Sequence, residues 1–188
     1  MTRRTRTAYL CASAVAVLVI GSVSVTEIAP RLIWNASASV PLGLYVLRPA
    51  SNLSVGDLVA VAPPEPIARF VVARGYVGPG VPLLKRVAAL PGTRVCRTGT
   101  TITVDGQVLG AARGRDSLRR PLPVWQGCRI VGEDEIFLMN REVGDSLDGR
   151  YFGPLPLGSV TARIVPIWAD ADGDGRVHRP ATGAEDGP

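Results

Sequence analysis

Apolar and polar positions divide this chain into one long apolar stretch followed by many short ones. Residues 7–26, TAYLCASAVAVLVIGSVSVT, run for twenty positions without a charge. A helix rises ~1.5 Å per residue, so a run of that length reaches roughly 30 Å, the thickness of a bilayer's hydrocarbon core. Beyond it the apolar runs become brief: GLYVL, DLVAVA, ARFVVA, LLKRVAAL, RVCR, TITVDGQVLG, EIFLM and SVTARIVPIW, each broken by turn residues. Within residues 100–110, Asp105-Gly106 sits between alternating side chains, a strong hairpin signal. No 3.6-residue period is sustained after the long stretch, so the pattern predicts one N-terminal helix and an all-β body. The closing segment, ADADGDGRVHRPATGAEDGP, carries almost no apolar side chains and reads as a loose polar tail.

Composition agrees with that division. With 188 residues there is room for one sizeable domain and an anchor. Hydrophobic residues at 46% and charged ones at 20% exclude wholesale disorder, while 21 Gly and 16 Pro favour short strands and many turns. The net charge is +5, and Arg3, Arg4 and Arg6 stand directly before the apolar stretch. Such a basic flank stays in the cytoplasm, which predicts a single-pass inner-membrane protein with its body on the far face and lipid as a partner. A cleaved secretory signal ending near Ser22-Val23-Ser24 is the alternative; the apolar stretch is longer than such signals need. The expected boundaries are therefore 1–27 for flank and anchor, 28–168 for the body and 169–188 for the tail, with Trp34 at the interface.

A second basic cluster, Arg113, Arg115, Arg119 and Arg120, lacks the helical or aromatic framework of a nucleic-acid site. It reads as a solvated or headgroup-facing loop. Cys11 is a packing residue of the apolar stretch, whereas Cys96 and Cys128 are left as either a disulfide or two buried thiols. An oxidising compartment favours the disulfide. With His178 as the sole histidine and no CxxC spacing, no metal or other cofactor is expected. Asp170, Asp172, Asp174 and Gly175 begin like a calcium loop, but Ala181 stands where the bidentate Glu belongs. Asn35 and Asn52 head Asn-x-Ser matches, a pattern too common to carry weight.

Lys85 is the only lysine among 21 basic residues. Arginine cannot release its proton in a protein, but a desolvated lysine can. Leu83, Leu84, Val87, Ala88 and Ala89 surround Lys85 in sequence. Lowering its pKa to the ~7–8 that suits a base takes about 4 kcal/mol of desolvation, which one buried strand face supplies. Ser37 and Ser39 lie in a turn stiffened by Pro41, just past the long apolar stretch. A free amine beside a serine hydroxyl is the Ser-Lys form of nucleophilic catalysis, and the lack of any earlier histidine argues against a Ser-His-Asp triad. Taken singly these are turn serines, a strand-edge lysine and, at Asp148 and Arg150, a surface ion pair. Their order behind an anchor favours chemistry.

These segments resemble the S26 serine peptidases, and within them the TraF-type conjugative transfer peptidases. Ser39-Val40-Pro41-Leu42-Gly43-Leu44-Tyr45 resembles that group's nucleophile segment. Lys85-Arg86 with Leu90-Pro91-Gly92 resembles the signal-peptidase lysine box, and Gly56-Asp57-Leu58-Val59 is similar to the strand between them. Ser146, Asp148, Arg150, Gly153 and Pro154 match the late box. The resemblance implies a signal-peptidase-like (S26/LexA-type) β-body with Ser39 as nucleophile and Lys85 as general base. It further implies that Ser146 orients the amine, that Asp148 and Arg150 fix the frame, and that Ser37 and the Ser39 N–H stabilise the oxyanion. The substrate it implies is a pilin or other exported precursor, cleaved and in some relatives cyclised. A general signal peptidase and a non-catalytic conjugation assembly factor are the alternatives. General signal peptidases carry Ser-Met-x-Pro, which this chain lacks, and Gly149 stands where a serine is usual.

Overall fold

The computed structural model of the chain describes residues 3–25, 31–170 and 176–178. Two units are formed, Met1–Pro30 and Arg31–Pro188. The first holds helix α1 (Arg3–Val25), on which Leu10, Val17 and Leu18 are exposed. Among the described residues no helix is long and apolar enough to cross a membrane. The predicted span 7–26, like the candidate cleavage site at residues 22–24, continues through positions whose side chains lie outside the described ones.

The second unit is mainly β. Its strands are β1 (Leu32–Asn35), β2 (Gly43–Arg48), β3 (Leu58–Val61), β4 (Leu83–Ala89), β5 (Arg94–Thr98), β6 (Thr101–Val104), β7 (Gln107–Ala111), β8 (Gly127–Ile130), β9 (Glu135–Leu138), β10 (Leu155–Pro156) and β11 (Val160–Ala169). Seven strands form one antiparallel sheet in the order β1-β2-β11-β3-β4-β9-β10, and four form another in the order β7-β6-β5-β8. β3 and β4 are central and buried on both faces, as their continuous apolar sequences require. One face packs Leu58, Ala60 and Leu84 with Tyr45 and Ile164; the other packs Val59, Val61, Leu83 and Val87 with Ile136 and Leu138. Alternation puts Lys85 on the second face, opposite Val59. The Leu90-Pro91-Gly92 turn leads from β4 into the second sheet, where Gly92 N donates to Val131 O.

Asp105 and Gly106, at φ 46° and 81°, make the two-residue turn of the β6–β7 hairpin. ARFVVA, read as a strand, lies in helix α2 (Glu65–Ala73). Its start has helix chemistry: Glu65 in the first turn, Pro66 within it, and Glu65 ion-paired to Arg69 one turn on. Ile67, Phe70 and Val71 recur at the i, i+3, i+4 spacing of a single face. At the other end, β11 extends to Ala169, which exchanges backbone hydrogen bonds with His178. Asp172 and Asp174 of the acidic turn lie outside the described residues, and no cluster of metal-ligating side chains occurs among the described ones.

Cys96 and Cys128 are directly paired on β5 and β8 and joined by a disulfide across 32 positions of chain. A loop of that size stabilises the folded state by about 3–4 kcal/mol in the chain-entropy model. Urea unfolding of the full chain with and without reductant should show that difference; coincident curves would contradict it.

Candidate active site

The segment between β1 and β2 wraps around one buried side chain. Asn35, 5% exposed at the end of β1, donates from Nδ2 to the carbonyls of Ser37, Val40 and Pro41, at 2.8, 2.9 and 3.0 Å. Its Oδ1 accepts the Ser37 N–H at 3.1 Å and the Ser37 hydroxyl at 2.8 Å. The Tyr45 hydroxyl donates to Pro41 O at 2.6 Å, closing the far side. Gly43 permits the close approach of β2 to β11: a Cβ there would stand 2.1 Å from Trp168 O. These contacts give the Ser-Val-Pro-Leu-Gly-Leu-Tyr run its shape. It presents Ser39 half-buried with its Oγ 3.0 Å from that of Ser37.

Lys85 is 5% exposed on β4, and its Nζ donates to Ser146 Oγ at 2.8 Å, 61 residues away in sequence. Burial drives the amine down from 10.5 to about 8; the Asp148 carboxylate pulls it back up, and the Arg150 guanidinium pushes it further down. Ser37, Ser39, Lys85 and Ser146 line one cleft of about 550 Å³, whose walls include Ile33, Val71 and Leu147. Arg113 and Arg115 of the basic cluster line it as well. In the same loop Arg120 pairs with Asp116 at 2.7 Å, and Asp116 also accepts from the Tyr76 hydroxyl.

Asp148 and Arg150 stand behind this wall rather than in it. Helix α3 (Gly149–Phe152) begins at Asp148, whose side chain caps it by accepting from Arg150 N. The pair is fully buried, with Arg150 Nε 3.0 Å from Asp148 Oδ1, so it is not the surface ion pair that either residue alone would suggest. Arg150 also donates to the carbonyls of Asn140 and Val143, at 2.6 and 2.7 Å. Removing one partner of such a pair leaves a buried charge uncompensated and costs about 3–5 kcal/mol. Arg150→Met should therefore lower unfolding free energy by that amount, measured by denaturant titration; a change below about 1 kcal/mol, the range of exposed pairs, would be inconsistent with burial. Gly149, the departure noted in the late box, has a local reason. A Cβ there would lie 2.5 Å from the Phe137 ring and 2.7 Å from Leu138 O.

Two asparagines in this site carried no weight in the sequence. Asn35 is read only as a glycosylation match, although a short amide just ahead of a serine turn is a recognised brace. Asn140 follows the apolar run of β9, and its connections reach Ser39, Leu84, Arg86, Ser146 and Arg150. No local pattern announces it.

Residues 4–169 match the family described as signal peptidase, peptidase S26. A probable conjugal transfer protein TraF of Sinorhizobium fredii is 38% identical over 136 residues, covering 67% of this chain and 71% of that protein. A plasmid transfer protein TraF of Escherichia coli is 33% identical over 144 residues, covering 71% and 80% respectively. Among solved structures, a signal peptidase I of Enterococcus faecalis aligns at 21% identity with a TM-score of 0.37, covering 61% of this chain and 98% of that one.

Proposed function

Starting from the fact that this chain belongs to the peptidase S26 signal peptidase family, we propose that it is a Ser/Lys-dyad peptidase that matures an exported precursor during conjugation. The observation that carries the reading is the chain's one lysine, buried and shifted toward neutrality on the same cleft as Ser39. The free amine of Lys85 takes the Ser39 proton as Oγ attacks the scissile carbonyl. The resulting oxyanion accepts from the Ser39 N–H and from the Ser37 hydroxyl, once that hydroxyl rotates away from Asn35 Oδ1. As the carbon–nitrogen bond breaks, Lys85 returns the proton to the leaving amine and an acyl-enzyme remains. Water, or the precursor's own N-terminal amine, then resolves it as a free carboxylate or a cyclic product.

Relatives named for conjugal and plasmid transfer favour a conjugation substrate, and a pilin precursor is the one proposed. The uncharged residues 7–26 behind Arg3, Arg4 and Arg6, with exposed Leu10, Val17 and Leu18, support an inner-membrane anchor and an extracytoplasmic body. Mass spectrometry of the pilin from cells carrying the wild-type chain or Ser39→Ala tests this. The cut product should appear only with Ser39, its mass distinguishing a linear from a cyclic form. Identical pilin masses in both strains would reject the reading.

A further inference from the structure

Asn140 belongs to none of the motifs that mark this site, yet it is 2% exposed and fully engaged. Its Oδ1 accepts the Arg86 N–H at 2.9 Å, and its Nδ2 donates to Leu84 O at 3.2 Å. The carboxamide therefore bonds the residues on both sides of Lys85, as a peptide group of a neighbouring strand would. β9 ends at Leu138 and Met139 N still donates to Arg86 O, so the Asn140 side chain continues the ladder where the backbone turns away. The same Nδ2 donates to Ser39 O at 2.6 Å and lies 3.4 Å from Ser146 Oγ. Its backbone is held by Asp148 Oδ2 at 3.0 Å and Arg150 at 2.6 Å.

The bonds from Asn35 and Tyr45 shape the serine turn internally but do not set its distance from β4. Val40 of the turn shares a hydrophobic cluster with Leu84 of β4; among the described residues the directional tie is Asn140, which bridges Ser39 O and Leu84 O and links positions 101 apart in sequence. We infer that Asn140 is a positioning residue for acyl transfer, the side chain that registers the nucleophile turn against the strand bearing the base. This rests on the Ser39/Lys85 reading. The charged groups around the amine are Asp148 and Arg150 behind it and Asp145, Asp116, Arg113 and Arg115 along the cleft.

An alkyl fluorophosphonate tests both ideas on the full chain in detergent micelles. Ser39 Oγ bonds to phosphorus, fluoride leaves, and Lys85 takes the hydroxyl proton, so no natural precursor is required. The wild type should label at Ser39 and Ser39→Ala should not. Asn140→Ala and Asn140→Asp should both label about 100-fold more slowly while keeping a cooperative melt, the loss expected when reacting groups are held ~1 Å out of place. Asp keeps the acceptor for Arg86 N but turns oxygen toward the carbonyls of Ser39 and Leu84. It should also raise the Lys85 midpoint, read from the single resonance of [13Cε]lysine-labelled protein. A purely structural Asn140 would lower the melting temperature and leave the labelling rate of folded protein unchanged. If wild type and Ser39→Ala behave as stated while both Asn140 variants label within threefold of wild type, the positioning role is overturned and the peptidase reading stands. If Ser39→Ala labels like wild type, or neither labels, the peptidase reading fails and the inference with it. Should Asn140→Ala melt without cooperativity, Asn140→Asp decides, and a wild-type rate per folded molecule overturns the role.

Discussion

Ser39→Ala is expected to reduce precursor processing by roughly 10⁴–10⁶-fold, the scale of loss when the nucleophile of a serine peptidase is deleted. Alanine removes the only atom that can form the acyl bond and leaves the surrounding contacts alone. Among the described residues Ser39 Oγ bonds only to that of Ser37, while its backbone carbonyl, held by Asn140, is retained in the variant. Val40 and Tyr45 beneath the turn are likewise unchanged, so the melting temperature should stay within a degree or two. The measurement is single-turnover cleavage of purified precursor at saturating enzyme. A loss smaller than about tenfold would mean that another group attacks the carbonyl, and the assignment of Ser39 would have to be abandoned.

Lys85→Arg should cost about 10²–10⁴-fold, because a guanidinium fills the space and keeps the charge but cannot accept a proton. The pH dependence is the sharper test. With the amine at about 8, activity should climb through a single ionisation near that value and level off above it. At pH 7 roughly a tenth of the molecules then hold a free amine, against fewer than about 1 in 1,000 for an unshifted lysine. Because Lys85 is the only lysine, [13Cε]lysine labelling reports its titration as one resonance without any assay of function. A midpoint at 10.5 would remove the base from the mechanism. Stability carries the same signature. The folded amine is depressed below the unfolded one, so between about 8 and 10.5 the unfolded chain holds a proton that the folded chain has released. Its contribution to stability therefore rises with pH across that window and is least favourable below it.

The components of this site were legible because they are local. A serine turn needs its Pro41 and Gly43, a base needs apolar neighbours along its strand, and a lone lysine among arginines is visible in composition. The β body followed in the same way, from short runs and the Asp105-Gly106 turn. Helix α2 was misread because its apolar face is only three residues long. In so short a segment, the helix-start residues Glu65 and Pro66 weigh more than the period. Gly149, a departure from the usual serine of the late box, is a packing requirement, since the atoms it makes room for belong to β9.

By itself, then, the sequence determined which groups are available for chemistry, the serine turn, the lysine strand and the Asp148–Arg150 pair, but not the helix that the pair begins. Only the tertiary structure decided how they meet. Ser146 reaches Lys85 across 61 residues and Asn140 reaches Ser39 across 101. Such bonds depend on strand order and register, which are set by the whole pattern of burial in the sheet, and leave no periodic trace at either partner.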